Sequence, residues 1–139
     1  MAEQTLKGSC LCKSVRYEVT TPFMRFGHCY CSRCRKATGS AHGANIFVPQ
    51  EQFAWLAGEE QVGRFEVPEA KYFATSFCKN CGSSLPWLAK GGKNRVVPAG
   101  SLDEDPGIKP QQSIFWESRA PWFVETCDLP KYAELPERK

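Results

Sequence analysis

At 139 residues, with 42% hydrophobic and 12% aromatic side chains, the chain has the size and apolar content of one folded domain, which excludes a disordered segment. It holds no run of about eighteen apolar residues, which excludes a membrane-spanning helix. Its formal charge of +3 is too small to grip polyanions by bulk charge, which argues against a nucleic-acid binder.

Residues 1–7 are polar and lack the apolar segment of a secretion signal, so the chain reads as cytoplasmic. Eight cysteines in a reducing compartment point to metal binding or catalysis and away from disulfides. Seven thiolates on two zinc ions would bring the net charge close to zero, which weakens the case for nucleic acid further.

Residues 4–19 read as a strand pair around the tight turn Gly8-Ser9-Cys10-Leu11-Cys12. Val15, Tyr17 and Val19 alternate with Arg16 and Glu18, the period of a half-buried strand, which ends at Thr21-Pro22. Residues 23–28 lead into a loop bearing Cys29, Cys31 and Cys34. Residues 32–38 read as a short helix closed by Gly39. Residues 44–48 and 53–56 read as strands, with a turn at Gly58-Glu59-Glu60, and 64–67 and 72–77 as two more. The run Cys78-Lys79-Asn80-Cys81-Gly82 follows at once. Its glycine permits a φ > 0 turn that aims backbone N–H groups at sulfur.

Residues 85–88 and 95–97 read as strands around Lys90-Gly91-Gly92-Lys93, 101–110 as a loop, 114–116 and 122–124 as closing strands, and 129–139 as a polar tail. Trp55, Trp87, Trp116 and Trp122 are expected in the core. Many short strands, one short helix and no internal repeat predict a mainly β fold of short antiparallel sheets. It is a single domain over residues 1–139, with its core between about 5 and 132.

The cysteines sort into three groups, the third being the lone Cys127, read as a free thiol. Cys10, Cys12, Cys78 and Cys81 form two close pairs, enough for one tetrahedral four-sulfur site that ties the N-terminal strands to the middle of the chain. The alternative is four buried thiols acting as small apolar residues, which the polar Cys78–Cys81 turn argues against. Cys29, Cys31 and Cys34 supply three sulfurs with no fourth nearby. Three protein ligands and one vacant position are how a catalytic zinc is usually held. The alternatives are a closed structural site completed by His28, His42 or Cys127, and a site that is often empty because its metal is labile. Arg33, Arg35 and Lys36, in or beside the loop, are candidates for pairing with substrate carboxylates, against the plainer reading of a solvated helix face. His42 is a candidate proton relay, or else a hydrogen-bonded structural histidine.

These motifs, Gly8-Ser9-Cys10-Leu11-Cys12, Cys29-x-Cys31-x-x-Cys34-Arg35-Lys36 and Phe77-Cys78-x-x-Cys81-Gly82, resemble those of the glutathione-dependent formaldehyde-activating enzyme family. Pro98-Ala99-Gly100-Ser101-Leu102-Asp103 and Ala120-Pro121-Trp122 are similar to it too. The resemblance implies a zinc β-tent fold of antiparallel sheets. It implies a structural zinc on Cys10, Cys12, Cys78 and Cys81, and a catalytic zinc on Cys29, Cys31 and Cys34. The activity it implies is a carbon–sulfur lyase reaction, joining glutathione and formaldehyde as S-(hydroxymethyl)glutathione. The chain departs from the family pattern at Tyr30 and Ser113, where histidine is frequent. Neither change removes a sulfur. The competing reading is a zinc-stabilised binding or chaperone-like module without catalysis, because a fold does not fix a function.

Overall fold

The computed structural model describes residues 3–137. Strands β1 (Thr5–Ser9), β2 (Arg16–Thr20) and β5 (Phe53–Ala57) form an antiparallel sheet in the order β1-β2-β5. A five-stranded sheet contains β3 (Arg25–Cys29), β4 (Gly43–Pro49), β9 (Trp87–Leu88), β10 (Asn94–Pro98) and β11 (Gln112–Ile114). Its order is β11-β3-β4-β10-β9. Strands β6 (Val62–Glu66), β7 (Ala74–Cys78) and β8 (Ser84–Leu85) make the third sheet. Helix α1 (Ser32–Thr38) joins β3 to β4.

The mainly β expectation holds, and the one helix falls where its caps place it. Gly39 closes α1 in the left-handed region at φ 69°, and its N–H donates to the Arg35 carbonyl.

Four local expectations are corrected. Residues 25–29, read as a lead-in, form a strand of the large sheet. Residues 85–88, read as one strand, are two. Pro86 has no N–H for a ladder, so Leu85 pairs with β7 while Trp87 pairs with β10 in a different sheet. The closing pair β11–β3 is parallel, because the chain crosses a long loop before reaching the sheet edge and arrives in the direction of β3. Residues 122–124 form no strand. The turn Phe123 N–H to Ala120 C=O takes the segment away from the sheets, and Trp122 is 66% exposed instead of buried. The tail is exposed through residue 137, and positions 138–139 lie outside the described residues.

The first two sheets face each other across the main core. Leu6, Tyr17, Val19 and Phe53 from one meet Phe26, Ile46, Val48 and Val97 from the other. Each of these buried side chains contributes about 1.5–3 kcal/mol of apolar transfer. Gly8 is required here, since a Cβ at that position would collide with the hydroxyl end of the Tyr17 ring opposite it on β2.

The period of two then dictates the site. With Phe26, Ile46 and Val48 turned into the core, Cys29, Gly43 and Asn45 lie on the opposite face of the large sheet. Helix α1 covers that face, close enough that a Cβ on Gly43 would touch the Cβ of Cys34.

Candidate metal centres and substrate site

The first cluster unites four turn residues. Cys10 and Cys12 stand on the β1–β2 turn, Cys78 and Cys81 on the β7–β8 turn, and their four sulfurs lie within 4.8 Å of one another. Cys10 Sγ lies 3.6 Å from Cys12 Sγ, and Cys12 Sγ 3.9 Å from Cys78 Sγ. A tetrahedron with metal–sulfur arms of about 2.3 Å has edges of about 3.8 Å, so the donor set fits one ion. Cys10 and Cys78 are buried beside Val15 and Leu85, which makes the cluster a second core.

Hydrogen-bond donors surround the sulfurs. Val15 N–H donates to Cys10 Sγ at 3.3 Å, and Asn80 Nδ2 donates to Cys12 Sγ at 3.2 Å. The hydroxyls of Ser14 and Ser83 lie 3.1 Å from Cys12 and 3.2 Å from Cys81. The Ser14 hydroxyl, helped by Asn80, holds the Cys12 thiol down at about 7. The Ser83 hydroxyl and backbone hold Cys81 down at about 5, while burial raises Cys10. Gly82 takes the expected φ of 78°, but its N–H donates to the Cys78 carbonyl at 2.8 Å and not to sulfur. Ser14, Asn80 and Ser83 escaped the sequence reading. The repeated spacing Cys12-x-Ser14 and Cys81-x-Ser83 was the available signal.

The second cluster gathers Cys29 at the end of β3, Cys31 at the N-cap of α1 and Cys34 inside the helix. These three sulfurs also lie within 4.8 Å of one another. Cys31 Sγ accepts the Cys34 N–H at 3.3 Å, so the thiol does the capping work usually given to Ser or Asp. Asn45 Nδ2 approaches Cys34 Sγ at 3.9 Å. The hydrogen bond from Cys34 pulls the Cys29 thiol down to about 6, and the same bond together with burial pushes Cys34 up.

Among the described residues, no His, Cys, Asp or Glu places a ligand atom within 4.8 Å of all three of these sulfurs. Cys127 is exposed and lies 3.8 Å from the Asp128 carboxylate. His28 and His42 stack on each other, with ring centroids 4.0 Å apart. Tyr30 lies against His42, Trp116 and Phe123 at 5.0–5.2 Å. Burial lowers the His28 pKa, and the neighbouring His42 adds to this. His42 Nδ1 is buried with no hydrogen-bond partner, as is Arg35 Nε. Arg33 and Lys36 are exposed on α1, and both line a groove against Phe65 and Phe73. Asn45 was missed by the sequence reading, although the alternation through β4 sets it opposite the buried Ile46.

No described helix is long and apolar enough to cross a membrane.

Residues 5–118 match the family model described as glutathione-dependent formaldehyde-activating enzyme. A Halomonas elongata protein, provisionally named a glutathione-dependent formaldehyde-activating enzyme, is 28% identical over 129 residues, which cover 86% of this chain and 80% of that protein. An uncharacterized lyase of Schizosaccharomyces pombe is 27% identical over 88 residues, 63% of this chain and 61% of that protein's length. A Rhodobacter sphaeroides protein of known crystal structure aligns with a TM-score of 0.60 at 19% identity, over 78% of this chain and 98% of that one, a likeness of fold alone.

Proposed function

The chain belongs to the glutathione-dependent formaldehyde-activating enzyme family, and from that premise we propose that it is a zinc-dependent enzyme joining, or in reverse cleaving, a thiol and a small aldehyde. The observation that carries this reading is the three-sulfur cluster of Cys29, Cys31 and Cys34, which no fourth ligand among the described residues completes. The four-sulfur cluster of Cys10, Cys12, Cys78 and Cys81 is the structural counterpart, closed and built into a core. Soft thiolates at tetrahedral spacing favour zinc in both. Eight free cysteines suit a reducing compartment, and we assign the protein to the cytoplasm.

Zinc at the open site would supply Lewis acidity and lower the pKa of a thiol beside it. The residues of the chain do the rest. Cys29, Cys31 and Cys34 would hold the ion at the end of β3, under α1. Asn45 offers an amide donor from the sheet face. His42, whose buried Nδ1 has no hydrogen-bond partner and whose ring lies against His28 and Tyr30, is our candidate for exchanging the proton that the reaction moves. The balance is simple. The thiol sulfur bonds to the carbonyl carbon, and the thiol proton ends on the carbonyl oxygen as a hydroxyl. Arg35 is a further candidate for pairing with a substrate carboxylate, although its Nε is buried and without a partner.

The test is cobalt substitution of both sites, followed by titration with glutathione. The reading predicts that glutathione changes the absorption of one cobalt site in the wild type and of none in Cys31→Ser. Two metal ions that both ignore thiols would overturn the enzyme reading and favour a binding module.

A further inference from the structure

Cys34 is buried. It lines a small, partly open pocket of 50 Å³ with Asn45, Thr75, Leu85 and Trp87. One water needs about 10–15 Å³ by the same measure, so this space holds a molecule of a few heavy atoms. It has room for a small aldehyde and none for a tripeptide. Ala37, Phe73 and Thr75 form a wall that this cavity shares with a second, larger groove of 340 Å³.

The larger groove runs between α1 and the β6–β7 hairpin. Its floor is apolar, made by Ala37, Phe65, Val67 and Phe73. Phe65 pairs with Thr75 across the hairpin and remains 56% exposed, with Ala37, Val67 and Phe73 beside it in the groove. Its rim is cationic. Arg33 and Lys36 stand one helical turn apart on α1, and among the described residues neither has a salt-bridge or hydrogen-bond partner.

From this arrangement we infer that the α1–β6–β7 groove binds the body of the thiol substrate, and that this body is an apolar segment ending in an anion. The inference rests on reading the three-cysteine cluster as the place where the carbon–sulfur bond forms. The sulfur enters over Ala37 and Thr75 toward the small cavity, where the aldehyde sits. The apolar segment covers Phe65 and Phe73, and the terminal anion meets Arg33 and Lys36. Glutathione, polar along its whole length, leaves that floor uncovered. The groove therefore selects a more amphiphilic thiol, at about fourfold in affinity for each methylene it buries. The bonds made and broken are those of the parent reaction, with the thiol proton passing to the carbonyl oxygen and no oxidant required.

The test titrates the zinc-loaded protein calorimetrically with 6-mercaptohexanoate, 6-mercaptohexanol and glutathione, with zinc content measured before and after. The expected order is mercaptohexanoate tightest, mercaptohexanol about fivefold weaker, and glutathione at least about tenfold weaker than mercaptohexanoate. Phe65→Ser weakens both hexyl thiols about tenfold at unchanged zinc content. Arg33→Gln combined with Lys36→Gln removes the advantage of the carboxylate. Glutathione binding more tightly than mercaptohexanoate, or hexyl thiols indifferent to Phe65→Ser, would overturn the groove assignment and leave the thiol–aldehyde reading standing. A protein holding two zincs that binds none of the three thiols would sink both.

Discussion

Serine in place of Cys78 and serine in place of Cys31 remove one sulfur each, yet their effects on stability will differ by most of the stability of the domain. Cys78 is fully buried, its sulfur 3.9 Å from Cys12 and packed with Val15 and Leu85. Structural zinc sites bind with about 10–16 kcal/mol in small peptides, and that binding energy is folding energy. Whole domains are stable by about 5–15 kcal/mol. Loss of the ion is thus comparable to the entire stability, and a buried serine hydroxyl without its partners costs about 1–3 kcal/mol more.

Cys31 is a different case. It is half-buried at a helix end, and its structural duty is to accept the Cys34 N–H. Serine is among the preferred N-cap residues, so the cap survives the substitution while the metal-binding sulfur is lost. At about 3–5 °C per kcal/mol for a chain of this size, Cys31→Ser should move Tm by less than about 5 °C. Cys78→Ser should lower it by more than about 15 °C or prevent folding. Elemental zinc analysis beside thermal unfolding followed by circular dichroism reads both. The expected zinc content falls from two to about one in Cys31→Ser. Equal loss of Tm in the two variants, or a Cys78→Ser protein as stable as the wild type, would refute the division into structural and reactive centres.

Two other outcomes follow from the core. Burial raises the Tyr17 hydroxyl well above its ordinary value of 10, so folded and unfolded chains part company above pH 10. The unfolded chain loses this proton first, and stability should fall by up to about 1.4 kcal/mol per pH unit from there upward, with no contribution below pH 10. Urea unfolding at pH 9 to 11 should show this slope in the wild type and a flatter one in Tyr17→Phe. Gly8→Ala should cost about 1–3 kcal/mol through collision with the Tyr17 ring, and combining it with Tyr17→Leu should cost less than the sum of the two. Denaturant midpoints of the two single variants and the double measure this coupling.

The sequence by itself determined what depends on short-range chemistry. Cysteine pairs two apart or three apart must lie close in space, so the grouping of Cys10 with Cys12, Cys78 with Cys81, and Cys29 with Cys31 and Cys34 into clusters able to hold a metal ion was legible. Helix α1 was legible through Gly39, and β2 through the alternation of Val15, Tyr17 and Val19. The tertiary structure decided everything that depends on which distant segments meet. It joined the β1–β2 turn to the β7–β8 turn and made one site of two pairs. It brought β11 beside β3 in parallel, and it split residues 84–88 between two sheets at Pro86. It stacked His42 on His28 and set Asn45 against Cys34, contacts between residues 11–14 positions apart that no local pattern encodes. The physical reason is range. Propensity, capping and ligand spacing act over a few residues, whereas a pocket is the space left between elements whose packing is fixed by burial over the whole chain. The groove between Arg33, Lys36 and Phe65 therefore exists only in the folded protein.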